Sequence, residues 1–167
     1  CCRVDGASSP VIGIVLMIAI VFLLAVLVLL MIPQMPYLHD QPVPAIFKIT
    51  KIRHDDGNGH TNYDSYVVVQ NTGTTGYRNM NLYALTYRDG VLLGASITTI
   101  NGHAYISTHH FQIQTLGGQG SHGTTWDPGE KISIDYRDGT FHPGNVVTFE
   151  VYDVVTRQII SRHTFTA

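Results

Sequence analysis

Histidines are the side chains with the clearest potential for chemistry in this sequence, and several of them are close together. His103, His109, His110 and His122 fall within about 20 residues, and imidazole rings that converge can bind zinc or copper. Consecutive side chains of a strand point to opposite faces, so His109 and His110 cannot easily share one ion. We therefore predict surface or hydrogen-bonding histidines, with no metal site and no cofactor.

Other patterns that could carry chemistry fail on their spacing. The segment 55–59 resembles a calcium-binding loop, but its ligand spacing departs from the EF-hand pattern, and a polar hairpin loop is the simpler interpretation. The sequence has no Gly-x-Ser-x-Gly, Walker or dinucleotide-binding motif and no Cys-x-x-Cys pair. Because no nucleophile accompanies a recognisable base and orienting group, we predict that the protein is not an enzyme.

Both cysteines, Cys1 and Cys2, stand at the beginning of the sequence. A disulfide between adjacent cysteines would be strained, and a bond between subunits is an alternative. Two unpaired thiols are the simplest interpretation. Because the remainder of the chain contains no cysteine, no disulfide framework stabilises it.

The dominant feature of the sequence is an apolar run at residues 11–32, which contains no charged residue and no Asn, Gln, Ser or Thr. A helix of this length would reach roughly 33 Å, close to the hydrocarbon thickness of a bilayer. Ser9 suits the N-cap, and Pro10 suits the first helical position. Pro33 and Pro36 would end the helix because neither has an N–H donor. The run therefore predicts a membrane span or a filament-core helix.

Four regions follow one another along the chain. They are a polar N-terminal segment (1–9), the apolar helix (10–32), a Pro-rich linker (33–44) and a globular head domain (45–167). The predicted fold class is α+β: a long apolar N-terminal α-helix followed by an all-β, sandwich-like head without a second helix.

Short alternating runs bounded by turn residues predict about eight strands in the head. These runs are 45–51, 65–70, 82–88, 91–98, 105–115, 131–136, 146–154 and 158–165. Asp89-Gly90 between two of them is the strongest short hairpin signal. The spacing favours a sandwich or an open barrel. Residues 87–90 recur as 136–139, which we attribute to shared turn chemistry.

The start of the helix carries a family resemblance. Ser9-Pro10-Val11-Ile12-Gly13, followed by an uninterrupted apolar stretch, resembles the N-terminal segment of archaeal type IV pilins. Trp126-Asp127-Pro128-Gly129-Glu130, followed by the His142-Pro143-Gly144 turn, is more loosely similar to a pattern in their heads.

The resemblance implies a major structural subunit of an archaeal type IV pilus, which polymerises through its N-terminal helix into a helical cell-surface filament for adhesion. It implies insertion in the membrane before assembly, and an extracellular filament of identical subunits afterwards. It also implies an assembly platform, an ATPase and a prepilin peptidase as partners. Gly6-Ala7 is a suitable cleavage site, although we expect the mature chain to begin at Cys1.

Physical arguments about the helix are independent of that resemblance. An apolar surface on every side suits both lipid and the core of a filament. Gly13, Ala19 and Ala25 would allow close approach of neighbouring helices, although they do not form a single stripe. We expect the subunits to contact one another head to tail, and such contacts give an open helical polymer.

Two other functions remain open at this point. The chain could be a subunit of an archaellum-type motility filament, or a monomeric single-pass membrane protein with a binding ectodomain. The many tyrosines suit adhesive contacts and are equally ordinary strand residues. The net charge of −2 gives no reason to expect a nucleic-acid partner.

Overall fold

The apolar run forms a helix, α1, which spans Ser9–Met31. The structure is a computed structural model that describes residues 9–31, 42–55, 58, 60–106 and 112–167. α1 begins one residue before the predicted Pro10, and a proline is tolerated there because the first four N–H groups of a helix have no intrahelical partner. Ile32, Pro33 and Pro36, predicted to end the helix, lie outside the described residues.

The chain divides into two units, Cys1–Gln41 and Pro42–Ala167, and the second unit is built from strands. The strands are β1 (Phe47–Asp55), β2 (Thr61–Asn71), β3 (Tyr77–Arg78), β4 (Leu82–Arg88), β5 (Val91–Ile97), β6 (Ile113–Gly117), β7 (Thr125–Trp126), β8 (Lys131–Tyr136), β9 (Val146–Asp153) and β10 (Ile159–Thr166). Sheet 1 has the order β1-β2-β8-β6, sheet 2 has the order β10-β9-β4-β5, and β3 pairs with β7. The prediction of an apolar helix followed by an all-β domain is confirmed.

The predicted hairpins and strands agree with the structure where turn residues stand at both ends of an alternating run. β4 and β8 have their predicted bounds. Asp89 and Gly90 connect β4 to β5 with φ angles of 51° and 79°, which is the conformation that a two-residue hairpin turn requires. The remaining long strands differ from prediction mainly at their ends, where hydrogen bonding rather than sequence pattern sets the limit.

The strand predicted at 105–115 is wrong in its first part. Tyr105 follows a 3-10 turn at Gly102–Ala104, and β6 begins only at Ile113. Gln112 has a φ of 62°, so the chain leaves the extended conformation immediately before β6. Residues 107–111 lie outside the described residues.

The prediction of no second helix is also wrong. A single helical turn, α2, spans Gln119–His122, and it is too short to produce a helical periodicity in the sequence. The chain enters it through Gly118, which has a φ of 90°. A Cβ atom at Gly118 would lie 2.6 Å from the carbonyl oxygen of Lys131, so this close passage against β8 requires glycine.

Alternating side chains from both sheets form a core between them. β8 shows the pattern clearly, because every second residue is buried. The buried hydrophobic residues are Phe47, Ile49, Val67, Val69, Leu82, Ala84, Ala95, Ile97, Ile100, Ile113, Leu116, Trp126, Ile132, Ile134, Tyr136, Phe141, Val147, Phe149 and Val151.

Trp126 closes one end of this core. Its ring stacks on Phe47 with centroids 4.3 Å apart, and its indole N–H donates to the carbonyl oxygen of Glu130. Gly120 lies against the ring so closely that a Cβ atom would come within 2.4 Å of it. The buried amide of Asn71 donates to the carbonyl oxygens of Thr75 and Trp126, which fixes the loop that carries the tryptophan.

A buried hydrogen bond joins the two sheets through the middle of the core. The Tyr136 hydroxyl of sheet 1 lies 2.6 Å from Thr86 Oγ1 of sheet 2. Burial raises the pKa of the Tyr136 hydroxyl above its usual range. The pair therefore stays neutral, and one hydroxyl donates to the other in a site that is almost fully buried.

Side-chain acceptors on β10 bind the backbone of β1 and so close one side of the sandwich. Ser161 Oγ accepts the N–H groups of Ile46 and Phe47 at 2.9 Å, and His163 Nδ1 accepts the N–H of Ile49 at 3.1 Å. We call this contact the β1–β10 seam. It covers backbone donors that an edge strand would otherwise leave open to pairing with another chain.

The seam should make stability depend on pH, because His163 Nδ1 can accept a hydrogen bond only while it is unprotonated. Burial, together with the nearby charge of Lys48, lowers the pKa of His163 below its ordinary value of 6.5. The unfolded chain then binds more protons, so this contribution is complete above about pH 6.5 and is lost as pH falls through the folded-state pKa.

We expect the urea midpoint of the second unit to fall as the pH is lowered from about 7.5 to about 5. His163→Asn should weaken this dependence, because an amide oxygen can accept the Ile49 N–H without titrating. Denaturation curves of both forms at each pH provide the measurement. Equal pH dependence in the two forms would contradict the assignment to His163.

The second unit should fold without α1. A fragment of residues 42–167 keeps the core, and it keeps Pro44, whose carbonyl accepts the N–H of Arg162. We expect this fragment to be soluble, β-rich by circular dichroism and cooperative in thermal unfolding, because its contacts are internal to the two sheets. A helical spectrum or a gradual melt would show that the division into two units is wrong.

Candidate assembly surfaces

α1 presents apolar side chains in every direction. None of the residues from Pro10 to Val28 is buried, and α1 is long and apolar enough to cross a membrane by length and composition. It has no acidic residue in its first turn and no basic residue in its last turn. Exposed apolar surface of this extent has to be covered by lipid or by other protein chains.

The residues predicted to form the assembly motif all lie on α1. Ser9, Pro10, Val11, Ile12 and Gly13 form its beginning, and a Cβ built at Gly13 would meet no other side chain within 4 Å apart from its two chain neighbours.

Gly13, Ala19 and Ala25 are six residues apart on α1. At 3.6 residues per turn they point in three directions about 120° apart, so close approach is available around the whole circumference. Gly6 and Ala7, the predicted cleavage site, lie outside the described residues. The assembly role of all these residues remains a prediction.

A second surface, which the sequence did not indicate, is the outward side of sheet 2. We call it the sheet-2 face. Its residues are Leu92 and Ser96 of β5; Tyr83, Leu85 and Tyr87 of β4; Val146, Thr148, Glu150 and Tyr152 of β9; and Ile159, Arg162, Thr164 and Thr166 of β10. Apolar, aromatic and hydroxyl side chains dominate it.

Glu150 lies at the centre of the sheet-2 face, yet it is only 4% exposed. Its carboxylate accepts hydrogen bonds from the Tyr152 hydroxyl at 2.5 Å and from Nε of Arg162. Burial, together with the neighbouring Glu150 carboxylate, raises the pKa of both Tyr152 and Tyr87. The carboxylate is thus enclosed and satisfied by its neighbours, which suits a structural role better than proton transfer to a substrate.

Aromatic stacking extends this arrangement along the face. Tyr83 and Tyr152 stack with ring centroids 4.9 Å apart and planes inclined by 14°. The guanidinium carbon of Arg157 lies 5.4 Å from the Tyr83 centroid, on the turn between β9 and β10. These contacts restrict the rotamers of long side chains that would otherwise move freely on the surface.

Of the four histidines that lie within about 20 residues of sequence, the described structure brings two close together. His103 on the 3-10 turn and His122 on α2 are exposed, with ring centroids 5.9 Å apart and nearly perpendicular planes. His109 and His110 lie outside the described residues. Among the residues that the structure describes, no group of three or more His, Cys, Asp or Glu side chains could hold a metal ion.

Buried polar atoms without partners occur at a few places within the described ranges. Both ring nitrogens of His54, Asn79 Oδ1 and Asp135 Oδ1 are inaccessible and accept or donate no hydrogen bond. Burial and the nearby carboxylates of Asp64 and Asp138 raise the pKa of Asp135.

Comparisons with known proteins give a distant structural likeness. The archaellum periplasmic stator protein complex FlaF and FlaG from Sulfolobus acidocaldarius is 12% identical, covering 76% of this chain and 92% of that chain at a TM-score of 0.41. The archaellum periplasmic stator protein FlaG from the same organism is 12% identical, with 72% and 97% covered and a TM-score of 0.39. No protein-family model and no curated protein matches the sequence. A likeness this distant establishes neither a family nor a function.

Purified protein should contain transition metal only at trace level. Two exposed imidazoles supply too few ligands for a stable zinc or copper site, which usually needs three or four protein ligands. Elemental analysis after dialysis provides the measurement, with His103→Ala as the matched variant. About one zinc or copper ion per subunit in the unaltered chain, lost in the variant, would overturn this expectation.

Proposed function

We propose that this chain is the major structural subunit of an archaeal type IV pilus and polymerises through α1 into a helical cell-surface filament for adhesion. The observation that supports this most directly is α1 itself, a helix of 23 residues whose described side chains are apolar and exposed on every side. It begins with the Ser9–Gly13 sequence that resembles archaeal pilins.

The distribution of small residues favours a polymer over a lone membrane anchor. Lipid chains adapt to any apolar helix and gain little from gaps in its surface. Small residues instead let other helix backbones come close, and Gly13, Ala19 and Ala25 offer such gaps on three sides of α1. In a filament core, where several copies of α1 would surround each helix, such gaps allow close packing on every side.

The proposal includes a defined path and set of partners. α1 resides in the membrane before assembly, and a platform, an ATPase and a prepilin peptidase then convert the subunit into an extracellular filament. The second unit covers the filament and presents its surface to the surroundings, without catalytic activity. An archaellum-type filament and a single-pass membrane protein use the same kind of helix, so assembly itself is the property to test.

Ala19→Asp should abolish filament formation. A carboxylate in a dry helix bundle costs about 2.5–3.5 kcal/mol even on the membrane-insertion scale. Ala19→Val is the matched control, because it changes volume without adding charge and should retain filaments. Electron microscopy of cell surfaces and the yield of sheared filaments provide the measurement.

The outcomes of this experiment separate the three functions. Normal filament yield from Ala19→Asp would contradict burial of α1 against its copies. Unaltered chain that stays in the membrane fraction without filaments would indicate a single-pass anchor. Filaments that form normally, together with loss of swimming when the protein is deleted, would indicate a motility role in place of adhesion.

A further inference from the structure

The two outward faces of the sandwich differ sharply in charge. Sheet 1 carries outward charges on three of its strands: Lys48, Lys51 and Arg53 on β1, Asp64 on β2, and Lys131 and Asp135 on β8. Within the described residues, the strands of the sheet-2 face carry only Glu150 and Arg162 outward, which pair with each other, and Arg157 of the β9–β10 turn adds a cation over Tyr83. An outward face of an antiparallel sheet normally carries polar side chains that interact with water.

Apolar side chains at the margin of the sheet-2 face are open to solvent. Leu92 is 50% exposed and Val146 is 42% exposed. They lie on opposite sides of β4: Leu92 is the partner of Tyr87 on β5, and Val146 stands two residues before Thr148, the partner of Tyr87 on β9. The face therefore combines exposed aliphatic groups, tyrosines and a buried glutamate paired with a half-exposed arginine, and aromatic residues and arginine are enriched in protein interfaces.

Covering the sheet-2 face with another protein surface would also cost little free energy. Glu150 is already buried and has two donors in place, Tyr152 and Arg162, so covering it removes little further hydration. The stacked rings of Tyr83 and Tyr152 and the cation on Tyr83 hold their rotamers before any contact forms. Both properties reduce the free-energy cost of association.

We propose that the sheet-2 face packs against the second unit of a neighbouring copy of this chain. The inference rests on the proposed function, because assembly through α1 brings copies together. Ten residues, 32–41, separate α1 from the second unit and reach at most about 35 Å, so neighbouring second units stay close at a high effective concentration.

A second copy suits the face better than a small ligand or a charged macromolecule. The face is broad and formed by four strands, whereas small-molecule sites are concave and enclosed. Its charges are few, because Glu150 pairs with Arg162 and only Arg157 lies over Tyr83, and this gives little attraction for a charged macromolecule. In a filament the same contact would repeat at every subunit. A small stabilisation from each sheet-2 face would therefore be enough to stabilise the whole filament.

A photo-crosslinking experiment on assembled full-length chain tests the inference. A benzoylphenylalanine probe at Leu92 lies on the sheet-2 face, and the same probe at Val91 is the control. Val91 is 68% exposed in the same hairpin, but alternation directs it away from that face. We expect covalent subunit dimers from position 92 and few or none from position 91.

Charge insertion gives a second, independent readout. Leu92→Lys and Val146→Lys place charge on exposed positions of the face, where the fold tolerates it, and Val91→Lys is the matched control. We expect about tenfold more subunit release from filaments of either face variant during mild detergent treatment, and no change for the control. Equal amounts of each variant in the membrane before assembly verify folding.

The results separate this inference from the proposed function. Filaments that form normally, with no dimer from position 92 and unchanged release in both face variants, overturn the inference and leave the proposed function intact. Crosslinks from position 92 to a cell-surface glycan or another protein in place of a second copy also overturn it. Absence of any filament from the unaltered chain overturns both together.

Discussion

The apolar surface of α1 cannot be left in water, and the rest of the protein is organised around that constraint. Full burial of one large aliphatic side chain is worth about 1.5–3 kcal/mol, and α1 exposes such side chains along most of its length. The second unit has its own core and its own internal hydrogen bonds. The contacts that stabilise the second unit are thus separate from whatever covers the helix.

The sandwich distributes polarity unequally between its two sides. Sheet 1 has the charged outer face expected of a solvated sheet, with Arg53 paired to Asp64. Sheet 2 instead builds a second layer of contacts on its outside, in which Glu150 is enclosed by Arg162 and two tyrosines. The difference between the faces arises from a few outward positions, and the shared core is unaffected because those positions alternate with core residues.

Local signals in the sequence were sufficient for α1 and for most of the long strands, and insufficient for the short elements and for the sheet-2 face. α1, β4 and β8 could be predicted because composition or strict alternation, bounded by caps and turn pairs, determines them. The start of β6 could not, since the left-handed Gln112 looks ordinary in sequence. The alternation argument about His109 and His110 depended on that strand, and both residues fall outside the described chain.

The sheet-2 face could not be predicted because it depends on pairing between distant strands. Tyr83 meets Tyr152 only because β4 pairs with β9, and Glu150 alone reads as an ordinary surface carboxylate. That carboxylate is covered by Tyr152 on its own strand, Arg162 on β10 and Tyr87 on β4. A pattern of period two identifies which residues point outward, but not which outward residues cover one another.

The β1–β10 seam has a mechanical consequence. Tension transmitted along the chain from α1 reaches the second unit at Pro42 and acts first on β1. Phe47 and Ile49 bond to Ser161 and His163 in the same order along both strands, so these strands run in the same direction. A pull along β1 therefore shears the seam and the neighbouring ladder together, and many bonds share the load at once. Loading in shear thus distributes a pull over the seam and the β1–β2 ladder, whereas peeling would load their hydrogen bonds one at a time.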